Sequence, residues 1–228
     1  MSLYVIGDLH LSLGCDKPMD VFGGRWENYT EKLLDGFSTV RPEDTTVLCG
    51  DITWGMNLAE AQKDFLFVHS LPGQKIILKG NHDYWWTTAA QAYRFLAENG
   101  IDSIMFLNNN AFFYGDIALC GTRGWAMDAG EGKEHDQKLL RRELMRLETS
   151  LKAAGEREKL VFLHYPPKML TSEWTEAIDL MCAYGVKRCW YGHLHGAGCA
   201  QAFEGEYRGI RFHLVSADHL HFIPQKIL

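Results

Sequence analysis

The residues of this chain best suited to chemistry fall in five short groups: Asp8-Leu9-His10, Gly50-Asp51, Gly80-Asn81-His82-Asp83, His164, and Gly192-His193-Leu194-His195. Five of the ten histidines lie in these groups, which are a small part of 228 residues. An Asp and a His two apart can both reach one ion where a strand opens into a loop. The pair His193 and His195 can do the same, while Asp51 and Asn81 add oxygen donors. That is enough for two divalent ions. His10, His164, His193 and His195, with two carboxylates and one amide oxygen, form a mixed N/O set without thiolate. Such a set suits Mn, Fe, Zn, Co or Ni, and magnesium alone less well. Two divalent ions against two carboxylates leave a positive centre, which favours an anionic substrate such as a phosphate group. Water held between such ions would be acidified into a nucleophile. His82 is then free to protonate or hydrogen-bond a leaving oxygen, with Asp83 as a partner that fixes its tautomer.

These groups need elements that bring them to one place. Short apolar runs alternate with longer amphipathic stretches, and no linker, low-complexity segment or repeat interrupts them, so one α/β domain over residues 1–228 is expected. Strands are expected at Leu3 to Ile6, Thr46 to Cys49, Lys75 to Leu78, Leu160 to Leu163 and Arg188 to Tyr191, each ending at one of the five groups. In open α/β sheets ligands bind beyond the carboxyl ends of strands, so the five loops should converge. Helical periodicity places crossover helices at Trp26 to Val40, Leu58 to Leu71 and Thr87 to Asn99, and a longer helix at Lys133 to Ala154 ended by Gly155. A second set of strands is expected at Met105 to Leu107, Ala111 to Tyr114 and Ile117 to Gly121. The chain should close with a strand over Tyr207 to Val215, a turn at Ser216 to Asp218 and a last strand at His219 to Ile223. Two facing sheets with helices outside is the economical packing.

In this order the motifs DxH, GD, GNHD, a lone His after an apolar strand, and GHxH resemble those of the calcineurin-like metallophosphoesterase superfamily, from residue 8 to residue 195. The resemblance implies a four-layer α/β/β/α sandwich of two facing mixed sheets flanked by helices. It implies one ion on Asp8, His10, Asp51 and His195, and a second on Asp51, Asn81, His164 and His193, with Asp51 bridging. It also implies in-line attack on a phosphate mono- or diester by a metal-bound hydroxide, with His82 as general acid or transition-state stabiliser, and Mn²⁺ as the ion for assay. Leu194 stands where many members carry a small hydroxyl residue, but it is not a ligand position.

A net charge of −6 supplies no global positive field. The densest basic run, Arg141, Arg142 and Arg146, is interleaved with Glu143 and Glu148 at helical spacing and reads as a solvated face. A small phosphorylated substrate is therefore expected in preference to nucleic acid, with no protein partner. A nuclease, a non-catalytic protein-interaction module on the same fold, and a hydrolase of non-phosphate substrates are the alternatives. No apolar run approaches the roughly 20 residues of a membrane span. The N-terminus lacks the pattern of a signal peptide, and the six cysteines form no CxxC pair, so a cytoplasmic protein with free thiols is expected.

Arg25 and Arg123, in glycine-flanked loops, are candidates to reach a phosphate oxygen, and Lys168 is a weaker one. Trp54, Tyr84, Trp85 and Trp86 adjoin the motif loops and suit either a substrate wall or a packed collar. His69, His135 and His213 read as structural. His219-Leu220-His221 copies the spacing of the ligand pair but falls in the expected terminal strand.

Overall fold

Alternation along the strands decides the architecture in the computed structural model, which describes residues 1–125 and 133–228. The first half runs β1 (Leu3–Ile6), α1 (Tyr29–Gly36), β2 (Thr45–Leu48), α2 (Leu58–Ser70), β3 (Gln74–Ile77), α3 (Ala89–Glu98) and β4 (Ile104–Phe106). The second runs β5 (Phe112–Tyr114), β6 (Ile117–Thr122), α4 (Lys133–Ala153), β7 (Glu158–Leu163), α5 (Thr175–Ala183), β8 (Arg188–Tyr191), β9 (Gly205–Tyr207), β10 (Ile210–Leu214) and β11 (Gln225–Lys226). One sheet has the order β11-β1-β2-β3-β4 and the other β5-β6-β7-β8-β10-β9. The inner pairs of both sheets are parallel, and antiparallel strands close the edges at β11, β5 and β9.

Side chains one apart on a strand point to opposite faces, so each strand feeds two cores. Leu3, Val5, Val47 and Ile76 face Leu119, Leu160, Phe162 and Trp190 between the sheets. Tyr4, Ile6, Leu48 and Ile77 turn outward against Leu33, Phe65 and Leu96 of the first three helices. Val161, Leu163, Cys189 and Tyr191 do the same against Leu147, Leu151, Ile178 and Met181. The result is the four-layer α/β/β/α sandwich, with each large apolar side chain buried contributing roughly 1.5–3 kcal/mol. Among the described residues, no helix is long and apolar enough to cross a membrane. All six cysteines are free.

The C-terminal stretch differs from expectation. Residues 219–223 form no strand: Leu220 N donates to Ser216 O and Phe222 N to Ala217 O, and His221 and Phe222 take φ of 53° and 62°. The tight turns sink the Phe222 ring to 2% exposure against Trp26, with centroids 5.2 Å apart. Burial of that ring wins over local alternation, and pairing resumes at β11, antiparallel to β1. Helix α5 was not expected, although Ala177, Ile178 and Met181 fall at helical spacing on its buried face. Residues 126–132 and the side chain of His135 lie outside the described residues.

Candidate metal centre

The five motif groups follow β1, β2, β3, β7 and β8 at the carboxyl ends of two sheets. Four of their residues hold left-handed backbone: Asp8 (φ 59°), His10 (φ 47°), Asp51 (φ 52°) and His193 (φ 73°). That conformation costs a non-glycine residue on the order of 1–2 kcal/mol, and it is held by loop-to-loop bonds. Asp8 N donates to Gly50 O at 2.8 Å and His10 N to Asp51 O at 2.9 Å. The glycines of the motifs serve close approach. A Cβ on Gly80 would lie 2.0 Å from Asp51 Oδ1, and one on Gly192 would lie 2.2 Å from Asp8 Oδ2.

The side chains meet in two clusters that share Asp8: Asp8, His10 and His195, and Asp8, Asp51 and His164. Asp51 Oδ2 lies 3.8 Å from His10 Nε2 and 3.6 Å from His164 Nε2, between the clusters. Its Oδ1 accepts the His82 N–H at 2.7 Å. Asn81 Oδ1 faces His164 Nε2 at 2.6 Å and His193 Nδ1 at 2.9 Å. Asp8 accepts the His193 N–H on both oxygens at 3.0 Å.

The second nitrogens decide what these rings offer. His164 Nδ1 lies 3.0 Å from Cys49 O, a carbonyl that can only accept, so this nitrogen carries the proton. In the neutral ring Nε2 is then a bare lone pair, 2.6 Å from the lone pairs of Asn81 Oδ1. His195 Nδ1 faces Asp218 Oδ1 at 3.2 Å, which turns its Nε2 toward His10 Nε2 at 3.0 Å. Nitrogen and oxygen atoms converging in this way suit a cation between them. The donors fit divalent ions, and the carboxylate behind His195 is the arrangement that orients metal-bound histidine.

The electrostatics agree. Burial, His195 and His164 depress the His10 ring well below the usual histidine range. Burial and His164 bring His193 down to about 3. Burial, Lys17 and neighbouring histidines bring His82 down to about 4. Burial also opposes charge on His195, but Asp8 and Asp218 outweigh it and raise the ring to about 10, a proton standing where a cation would. Burial raises Asp51 to about 7 against the pull of His164. Asp8 is held well below the usual carboxylate range, where His195, His164 and His10 overcome its burial.

The family model for calcineurin-like phosphoesterases matches residues 1–197. The chain belongs to this family. No curated protein matches it. Among solved structures, a protein of unknown function, AQ665 from Aquifex aeolicus, is similar at TM-score 0.52 and 19% identity, over 99% of this chain and 95% of that one. A second solved structure is similar at TM-score 0.59 and 11% identity, over 92% and 88%. At these identities the likeness concerns the fold.

Within this calcineurin-like chain the remaining candidates part company. Asp83 is fully buried and makes no hydrogen bond to the His82 ring among the described residues: it accepts the N–H groups of Asp51, Ile52 and Gly80 and the Trp85 indole. It ties two motif loops together, so it positions Asp51 and does not set the His82 tautomer as expected. His82 Nδ1 instead faces Tyr84 Oη at 3.3 Å, and its ring packs on Trp54 at 4.2 Å. Trp54 also stacks on His10 at 4.9 Å, and with Met19, Phe22 and Trp26 it lines an apolar chamber of about 360 Å³ that opens onto His10, His82 and His195. Trp85 is core, against Phe65, and Trp86 packs on Phe106.

Arg25 is exposed and makes no hydrogen bond or ion pair to the donor set among the described residues. Arg123 lies 3.5 Å from Glu143, over the Trp125 ring. Glu143 is buried, so the expected solvated face is only partly so: Arg141 and Arg142 are exposed, while Arg146 turns to Glu143 at 2.6 Å. Lys168 pairs with Glu173. His69 bonds Ser103 and His213 stacks on Trp190, both structural as expected. His219 lies 3.5 Å from Glu204 and is in neither donor cluster. Sequence reading missed Asp218 as a partner of His195, although the strand-end rule that found the other loops applies equally to the end of β10. It also missed Trp26 as a wall of the chamber.

Proposed function

We propose that this protein hydrolyses phosphate mono- or diesters with two divalent cations. Asp8, His10, Asp51 and His195 would hold one, and Asp51, Asn81, His164 and His193 the other. The observation that supports this most strongly is the convergence of buried ring nitrogens and carboxylate oxygens in two clusters, with His164 and His195 each oriented from behind by Cys49 O and Asp218. Bound cations would neutralise a phosphoryl group and lower the pKa of water. The chain's own part is orientation: Cys49 O and Asp218 fix the imidazoles, and Asp83 fixes the loop of Asp51. His82 stands at the mouth of the chamber, where a bound phosphate dianion would raise its depressed pKa and prepare it to donate to a leaving oxygen. Lining by Phe22, Trp26 and Trp54 suits an apolar or aryl group on the ester.

A non-catalytic module would have no use for a complete donor set with oriented tautomers. The test is hydrolysis of p-nitrophenyl phosphate and bis-p-nitrophenyl phosphate after Mn²⁺ reconstitution, with His164→Ala alongside. Turnover by the wild type and none by the variant supports the reading. Metal-loaded wild type inert on both esters contradicts it.

A further inference from the structure

We infer that a second anion site lies beside the metal centre: a cavity of about 220 Å³ built on Lys79, Arg123 and Arg146, which takes a second phosphate or similarly charged group of the substrate. This rests on the phosphoesterase reading and narrows it to small molecules carrying two anionic groups, one cleaved and one held.

Placement is the first argument. The walls come from the loops that build the centre: Lys79 precedes Gly80-Asn81, and Trp86 and Thr87 follow the His82 loop. The Arg123 carbonyl accepts the N–H groups of His164 at 3.2 Å and Tyr165 at 2.9 Å. The Tyr165 ring in turn lies 4.3 Å from the ring of His193. The cavity thus shares its loops with the half of the centre that holds Asn81 and His164, while the apolar chamber lies on His10, His82 and His195.

Charge is the second. Three cationic side chains face a single carboxylate, Glu143, among the described lining residues. Glu143 is 1% exposed and fully engaged. It accepts from Arg146 at 2.6 Å, Thr122 Oγ1 at 2.6 Å and Gly124 N at 3.2 Å, with Arg123 at 3.5 Å. Two positive charges remain in excess. Lys79 makes no side-chain hydrogen bond or salt bridge with any described residue. Arg123 Nε is buried without an acceptor. A half-buried ammonium and an orphaned guanidinium nitrogen are donors without partners, and buried polar groups are rarely left so. A phosphate supplies several acceptor oxygens at once and is the group that guanidinium pairs bind best. The volume leaves room for a phosphoryl group with water around it.

The test separates this inference from the one beneath it. Protein stripped with EDTA is titrated with inorganic phosphate by calorimetry, using wild type, Arg146→Gln and Lys79→Met. Arg146 is exposed in part and off the motif loops but also pairs with the buried Glu143, so circular dichroism and thermal melting of each variant accompany the titration, and Lys79→Met, which breaks no ion pair among the described residues, keeps the test decisive. Binding by wild type that weakens about tenfold in each variant, the loss of one charge-assisted hydrogen bond, supports the cavity. No binding by wild type, or equal binding in all three, overturns it. With Mn²⁺ restored, alkanediol bisphosphates of increasing spacer length are compared with the matching alkyl monophosphates. Wild type should prefer at least one bisphosphate in kcat/KM, and the preference should fall about tenfold in both variants. An unchanged preference overturns the inference. Failure of wild type to hydrolyse any ester counts against the phosphoesterase reading, while the phosphate titration still decides the cavity.

Discussion

The two halves of the centre are built from the same kinds of side chain and differ in what stands behind them. On one side His10 and His195 face each other, and the Asp218 carboxylate holds His195. On the other, His164 and His193 converge on Asn81, and a neutral carbonyl, Cys49 O, holds His164. A carboxylate behind an imidazole raises its basicity more than a carbonyl does. The neighbourhoods diverge as well, with the apolar chamber on His10 and His195 and the cationic cavity on Lys79 and Arg123, whose loops adjoin Asn81 and His164. One sheet-end surface can thus present two cation sites of unequal strength and two unlike pockets for the rest of a substrate.

The largest effect should come from Asp51, the residue proposed to touch both ions, which lies between His10 and His164. Asp51→Ala is expected to remove turnover of p-nitrophenyl phosphate and to lower the content of both ions in elemental analysis. Retention of one ion at full occupancy would show that Asp51 serves a single half. Next comes Asp218→Asn, expected to weaken binding on the His10–His195 side by about 10- to 100-fold and to leave the other ion in place. Calorimetric titration with Mn²⁺ reads both, and equal weakening of the two would break the comparison.

Protons compete for the same lone pairs. In the metal-free protein His195 is raised to about 10 and Asp51 to about 7, so the apo form carries protons that the loaded form cannot keep. Raising the pH therefore favours loading. Affinity for Mn²⁺ on the His195 side should climb close to tenfold per pH unit between about 8 and 9, where the His195 proton is displaced, and more steeply below about 7, where Asp51 gives up a second. Calorimetry in buffers of different ionisation enthalpy counts that proton, and an affinity flat in pH would refute the assignment of His195. The smallest effect is Phe22→Ala. The ring is 62% exposed, so its loss should raise KM for p-nitrophenyl phosphate by only about three- to fivefold with kcat kept.

Much of this was legible in the chain itself. The inner strands and the loops carrying Asp8, Asp51, Asn81 and His164 could be read because a parallel strand buried on both faces is a short apolar run, and its end is where polarity begins. Left-handed backbone at Asp8, His10, Asp51 and His193 could not be read, since at three of them the adjoining glycine carries the visible signal, His10 has none, and the strain is imposed by loop contacts. Asp83 looked like a partner of His82 because it follows it, yet three backbone amides from two loops claim its oxygens. Sequence neighbours at a sharp turn need not face each other. The terminal stretch misled for a related reason: alternation suggested a strand, while the burial of Phe222 beneath Trp26 required turns. Arg146 and Glu143 show the same limit on a helix, where charge spacing says nothing of a buried carboxylate collecting partners from another element.

The central claim is that these donors hold two cations and use them. Counting it directly requires elemental analysis of the Mn²⁺-reconstituted chain, with hydrolysis of p-nitrophenyl phosphate and bis-p-nitrophenyl phosphate on the same sample. The account predicts two ions per chain and turnover that disappears with EDTA and returns with Mn²⁺. A chain that binds no ion, or one that turns over equally well when stripped, would contradict it.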